Sequence, residues 1–147
     1  MPSLVDARTG RVVARAVELA VTRSARRRGL LDRSSLDPES ALVLAPCMMI
    51  HTALMRFAID VLFVNRDGRI VRIVRGLRPW RIAASSAAYA TIELAAGEAE
   101  AGDVGVGHEL YVEGLAGTGF GVDRLRSLSS GVDTCRNTAA SPARWGS

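Results

Sequence analysis

The chain has 147 residues, nearly half of them hydrophobic, which suits one domain built around a single core, and its formal charge of +4 rests on 19 basic residues that are all arginine. The absence of lysine excludes Schiff-base chemistry, pyridoxal phosphate attachment and a lysine-bearing phosphate loop. Only two cysteines occur, Cys47 and Cys135, far apart, which argues against a disulfide framework; the first twenty residues hold no apolar segment of signal-peptide length, so a cytoplasmic location is expected.

The stretch RVVARAVELAV (Arg11 to Val21) is rich in β-branched residues and reads as a strand. TRSARRRGLLDR follows, with Thr22 or Ser24 as N-cap, helix-favouring Ala and Arg, and Gly29 as a weak point. One short helix is predicted near residues 23–33. After a loop, ALVL (Ala41 to Leu44) is a second strand candidate. The most apolar stretch, APCMMIHTALMRFAIDVLFV (Ala45 to Val64), poses the question of a membrane span. Only 15 residues run from Ala41 to Met55, against the roughly 20 that a span needs. Extending the run takes in Arg56 and Asp60, each costing about 2.5 to 3.5 kcal/mol at mid-membrane. A core segment is therefore expected, and no span.

IDVLFVNRDGRIVRIV places apolar runs on both sides of Asp67-Gly68, a hairpin signal. The chain loosens through GLRPW and RIAASSAAY, resumes strand character in ATIEL (Ala90 to Leu94), allows a helical turn near residues 98–102, and closes with the strand-like HELYVEG. From Leu115 onward large apolar residues are few and no period is sustained. The expected organisation is a β domain over residues 1–114 and a mostly disordered tail over 115–147.

Three groupings invite chemistry. Cys47, His51 and Met55 are spaced by four, and in a strand Met49 joins them on one face, a soft set that would suit Cu(I). Met and Cys are also ordinary core residues, and no metal or other cofactor is expected. Cys47 with His51 also has the makings of a nucleophile and its base, but no third, orienting group is recognisable. Asp60 and Glu93 each interrupt an apolar run, AIDVLF and TIELA. Buried acids need partners, for which Arg26, Arg56, His51 and Thr52 are the candidates. Two carboxylates would allow the acid and base roles of a hydrolase, whereas the simpler reading is a polar network that fixes strand register.

Arginine recurs at every third residue from Arg66 to Arg81, and Arg23, Arg26, Arg27, Arg28 and Arg33 form a second group. Phosphate binding comes to mind. A three-residue step alternates faces on a strand, however, and the acids between residues 93 and 113 offer cross-strand partners. With Trp80 alone for stacking, nucleic acid is disfavoured as a partner.

RRRGLLDR, CMMIHTALMRFAIDVLFVNRDGRIVRIV, RPWRI, TIELAAG and GVGHEL follow, in order, the pattern of the family called domain of unknown function 192, which the chain resembles over roughly residues 12 to 112. The resemblance implies a compact β-sandwich or barrel-like fold with one small helix near Arg26 to Leu30, in agreement with the mainly β reading. Family-like acids stand at Asp60 and Glu93. The expected function is that of a small soluble non-catalytic binding or accessory protein, in which Arg26, His51, Thr52, Asp60 and Glu93 border a small pocket for an unknown small molecule or protein partner. The alternatives are a hydrolase using the paired carboxylates or Cys47 and His51, and a nucleic-acid binder using the arginines.

Overall fold

The computed structural model describes residues 2–114; the expected tail at 115–147 lies outside them. Ten strands and two short helices are formed within that range: β1 (Ser3–Asp6), β2 (Val12–Ala14), β3 (Ala16–Ala20), α1 (Arg23–Arg28), β4 (Ser40–Leu44), β5 (Met49–His51), β6 (Ile59–Val64), β7 (Ile70–Leu77), β8 (Ile82–Ala84), β9 (Ala90–Ala95), α2 (Glu98–Ala101) and β10 (Leu110–Glu113). The mainly β expectation is met.

The central sheet has the order β3-β4-β9-β6-β7 and carries a core on each face. Every residue of β6 is buried, and so are the first five of β9. Burial on both faces explains why these strands read as continuous apolar runs rather than as alternation. The first core lies under the sheet β10-β1-β2, through Leu4, Val13, Val43, Leu62, Ile92, Leu94 and Val112 among others. The second lies under α1 and the two-stranded ribbon β5-β8, through Leu30, Leu44, Cys47, Ile50, Val61, Phe63 and Ala83. Three layers result.

Around the first core the two larger sheets are stitched together on both sides, which gives the barrel-like character. The Val17 amide donates to the Pro2 carbonyl (2.9 Å) on one side. On the other, the Ile70 amide donates to His108 and the Gly107 amide to Ile70 (both 2.8 Å), beside an Arg69–Glu109 bridge and ion pair (3.0 Å). That pair is one instance of the expected coupling between basic and acidic segments.

The run expected as one strand from Arg11 to Val21 is two. β2 pairs with β1, and β3 pairs in parallel with β4. The break falls at Arg15, where the Arg15 and Ala16 amides both donate to the Glu39 carbonyl, so the chain turns a corner from one sheet to the other. Parallel β3 and β4 require a crossover, and α1 supplies it. The Thr22 hydroxyl caps α1 by accepting from the Ala25 amide (3.1 Å), and Gly29 ends it at φ 45°. The helix is thus shorter than the predicted 23–33 window because a glycine at positive φ, a conformation that residues with a Cβ disfavour, closes it. β6 and β7 form the predicted hairpin, with Asn65 accepting amides from Asp67 and Arg69 across the turn.

Candidate functional site

The five residues expected to border one pocket are all buried, and the central sheet divides them. Asp60 lies between Ile59 and Val61, which belong to the second core, so its side chain faces the first. Glu93 lies between Ile92 and Leu94 of the first core, so it faces the second, flanked across the ladder by Leu42 and Val61. His51 and Arg26 belong to the ribbon and helix that cover this same second face. Strand alternation turns neighbours to opposite sides, and the two acids fall on different parities of an antiparallel ladder. They share no single acid-base site.

Asp60 is 1 % exposed. One carboxylate oxygen accepts from the Gly76 amide (2.8 Å), the other from the amides of Gly97 and Ala99 (both 3.0 Å). The expected partners Arg26, Arg56, His51 and Thr52 take no part in these bonds. The reason lies in a bulge: Ile59 pairs with Leu77 and Val61 with Val74, so Arg75 and Gly76 both oppose Asp60. Gly76, at φ 61°, turns its amide inward, as a residue without Cβ does at little cost. Asp60 thereby joins β6, the bulge of β7 and the start of α2.

Arg26 is satisfied by carbonyls, donating to Val21 (2.7 Å) and Ala45 (3.4 Å). Its guanidinium closes the space between the end of β3 and the end of β4. His51 accepts the Ala53 amide on Nδ1 (3.2 Å), which puts the proton of the neutral ring on Nε2. Burial lowers the His51 pKa below its ordinary value. Cys47 precedes β5 and Met55 follows it, so with Met49 and His51 they do not share one strand face as the soft-metal set required. Among the described residues no group of three or more His, Cys, Asp or Glu side chains gathers in metal-binding proximity.

Thr52 does the most visible positioning. Its hydroxyl donates to the Arg78 carbonyl (2.6 Å) and accepts the Arg81 amide (2.9 Å). Its own amide donates to the Arg81 carbonyl (2.9 Å), and its carbonyl accepts the amides of Trp80 (3.0 Å) and Met55 (3.2 Å). One buried threonine thus ties the turn at residues 52–55 to the turn at 78–81. Both turns hold a bulky residue in the left-handed region, Leu54 at φ 67° and Trp80 at φ 63°. Such a conformation costs an L-residue about 1 to 2 kcal/mol.

Leu54, Trp80 and Ile82 are 53 %, 64 % and 54 % exposed. Arg56, Arg78 and Arg81 beside them are exposed as well. Ile82 pairs with His51 across the ribbon, so all three apolar side chains spring from backbone next to Thr52. In the sequence Trp80 stands out only as a lone aromatic. Its signal was the string RPWR, a Trp between arginines in a loop, which offers no core face for the indole to join. Two clefts open elsewhere, of about 330 Å³ beside α1 and about 200 Å³ beside β2, and neither is lined by the expected site residues.

A two-sided central sheet with interior polar anchors, and with exposed apolar and arginine residues around the turns at 52–55 and 78–81, describes a small β scaffold. By sequence the chain belongs to the family DUF192, described as Uncharacterized ACR, COG1430, whose pattern it matches over residues 5–112. Among solved structures it is similar to a protein of Sinorhizobium meliloti 1021 provisionally described as a transcription regulator, with 29 % identity, TM-score 0.66, and coverage of 78 % of this chain and 93 % of that one. It also shares its fold with a protein of unknown function from Novosphingobium aromaticivorans DSM 12444, with 22 % identity, TM-score 0.64, and coverage of 74 % and 81 %. No curated protein matches it.

Proposed function

We propose that the chain is a non-catalytic docking module that engages a partner through the face formed by Leu54, Trp80 and Ile82. The observation that carries this reading is the clamp: two bulky residues held in a strained conformation and left in water by a single buried threonine. Strain of this kind persists only where the surrounding structure over-determines it, and functional surfaces are where it concentrates. Tryptophan and arginine are also the residues that dominate binding energy at interfaces. In this reading Thr52 positions the face, while Arg26, Asp60 and Glu93 hold the layers that support it.

A photo-crosslinking amino acid at Ile82 tests the proposal in the cell that makes the protein. Defined adducts are expected at that position and not at Val106, a more exposed residue whose neighbour Gly107 is bonded to Ile70 at the other end of β7. Equal yields of diffuse products at both positions would remove the reading.

A further inference from the structure

Resting on that docking reading, we infer that the partner is an anionic lipid bilayer, met by shallow insertion of Trp80, Leu54 and Ile82 with the neighbouring arginines on the headgroup phosphates. The first support is an unbalanced charge distribution. Arg56, Arg72, Arg75, Arg78 and Arg81 are all exposed, and among the described residues the arginines in ion pairs are Arg15, Arg33 and Arg69. Between residues 50 and 84 the only acids are Asp60, buried, and Asp67, at the hairpin tip beyond the far end of β7. Within this segment of the chain, therefore, Asp67 is the one exposed carboxylate set against these five exposed arginines.

The second support is the form of the apolar surface. Three large side chains stand on two short turns and a strand end, tied together by Thr52. A nucleic acid would need a platform of several aromatics for successive bases, and among the described residues Trp80 is the one exposed aromatic. A bilayer needs a few apolar side chains at the interface, tryptophan above all, backed by cations. Arginine suits the second role because its planar fork pairs with phosphate through two hydrogen bonds. Neither component suffices alone: three side chains insert weakly, and charge without insertion is screened within about a Debye length. Both anionic lipid and the indole should therefore be necessary.

The test uses the full chain carrying Trp145→Phe, which leaves Trp80 as the sole indole. The probes are vesicles of phosphatidylcholine alone and vesicles with roughly one third phosphatidylglycerol, a composition whose negative surface potential attracts basic segments. Sedimentation with the anionic vesicles is expected, with a blue shift of Trp80 emission and release by added salt. Arg78→Glu with Arg81→Glu should weaken binding more than tenfold, since each arginine near an anionic surface is worth roughly fivefold. Trp80→Ala and, as an independent variant, Leu54→Ser should each reduce it in proteins whose melting is unchanged. No sedimentation at low salt, or sedimentation indifferent to Trp80→Ala, overturns the inference. If cross-linking at Ile82 nevertheless yields one defined protein, the lipid assignment falls and the docking face stands; loss of both removes the face itself.

Discussion

Asp60 and Thr52 are both buried polar side chains that hold a turn through backbone groups, yet the two turns end differently. At Asp60 the chain surrounds the carboxylate with Gly76, Gly97 and Ala99, residues that expose almost no apolar surface. At Thr52 the same kind of anchor leaves Leu54 and Trp80 in water at positive φ. A stabilising anchor selects glycine and alanine for its turn, since they fit at least cost. An anchor that carries bulky residues in a conformation they disfavour presents those residues outward. The contrast separates a structural polar residue from one that serves a surface.

Removing the Asp60 anchor should have the largest effect. Asp60→Ala leaves three backbone amides without their acceptor, and hydrogen bonds to charged groups contribute about 1.5 to 3 kcal/mol each before relaxation. A buried donor left unpaired costs about 1 to 3 kcal/mol, so the loss of all three bonds should show in denaturant melts as a decrease of at least about 3 kcal/mol, a large share of a small domain's stability. Asp67→Ala, in the exposed hairpin turn, should stay within about 0.5 kcal/mol of the parent. A mild Asp60→Ala would erase the contrast from one side.

Thr52→Val keeps the shape and removes the hydroxyl, so it should cost about 1 to 3 kcal/mol and broaden Trp80 emission, whereas Thr52→Ser restores both bonds and most of the stability. If valine leaves the emission of Trp80 unchanged, Thr52 does not position the face.

The ribbon strand that leads into Thr52 adds a pH dependence. Burial depresses the His51 pKa in the folded state, so the unfolded chain binds the proton more readily. Stability from this residue is present above the unfolded value of about 6.5 and is lost as pH falls through that value towards the folded one. Protonation also turns Nδ1 into a donor facing the Ala53 amide. Melting temperature should decline on acidification over this window, and His51→Gln, which keeps an acceptor, should flatten the decline. The smallest effect has the opposite sign: Leu54→Asn tolerates positive φ better and should gain a few tenths of a kcal/mol in melts while weakening docking.

Much of the scaffold was legible in the sequence because its causes are local. The Asp67-Gly68 hairpin, a helix start at Thr22 or Ser24 and the buried strands around Leu42, Leu62 and Ile92 are written in turn chemistry and apolar runs, whereas Gly29 reads there only as a weak point of a helix window that runs on to residue 33. β5 and β8 were not, since three-residue strands carry too little periodicity to separate from loop. The corner at Arg15 was hidden because both halves are β-branched and only their partners differ. The candidate site was legible by residue type and not by arrangement. Asp60 and Glu93 stood out correctly as buried acids, but which face each occupies depends on ladder register, and the partners of Asp60 are main-chain amides that no side-chain pattern announces. The strained backbone at Leu54 and Trp80 had no signal at all, since leucine and tryptophan ordinarily avoid that conformation.

The pairing of β1 with β10, Ser3 with Glu113 through Asp6 with Leu110, sets a timetable for synthesis. The hairpin of β6 and β7 joins segments a few residues apart and can form as soon as it leaves the ribosome. The outer sheet over the first core cannot, because among the described strands β1 is made first and its partner last. Until Leu110 to Glu113 emerge, Leu62, Ile92 and Leu94 lack part of their cover, and at about 5 to 20 residues per second that interval lasts seconds. A nascent chain halted just before Leu110 should accordingly be cut by protease within this half-covered layer, while one halted well past Glu113 should resist.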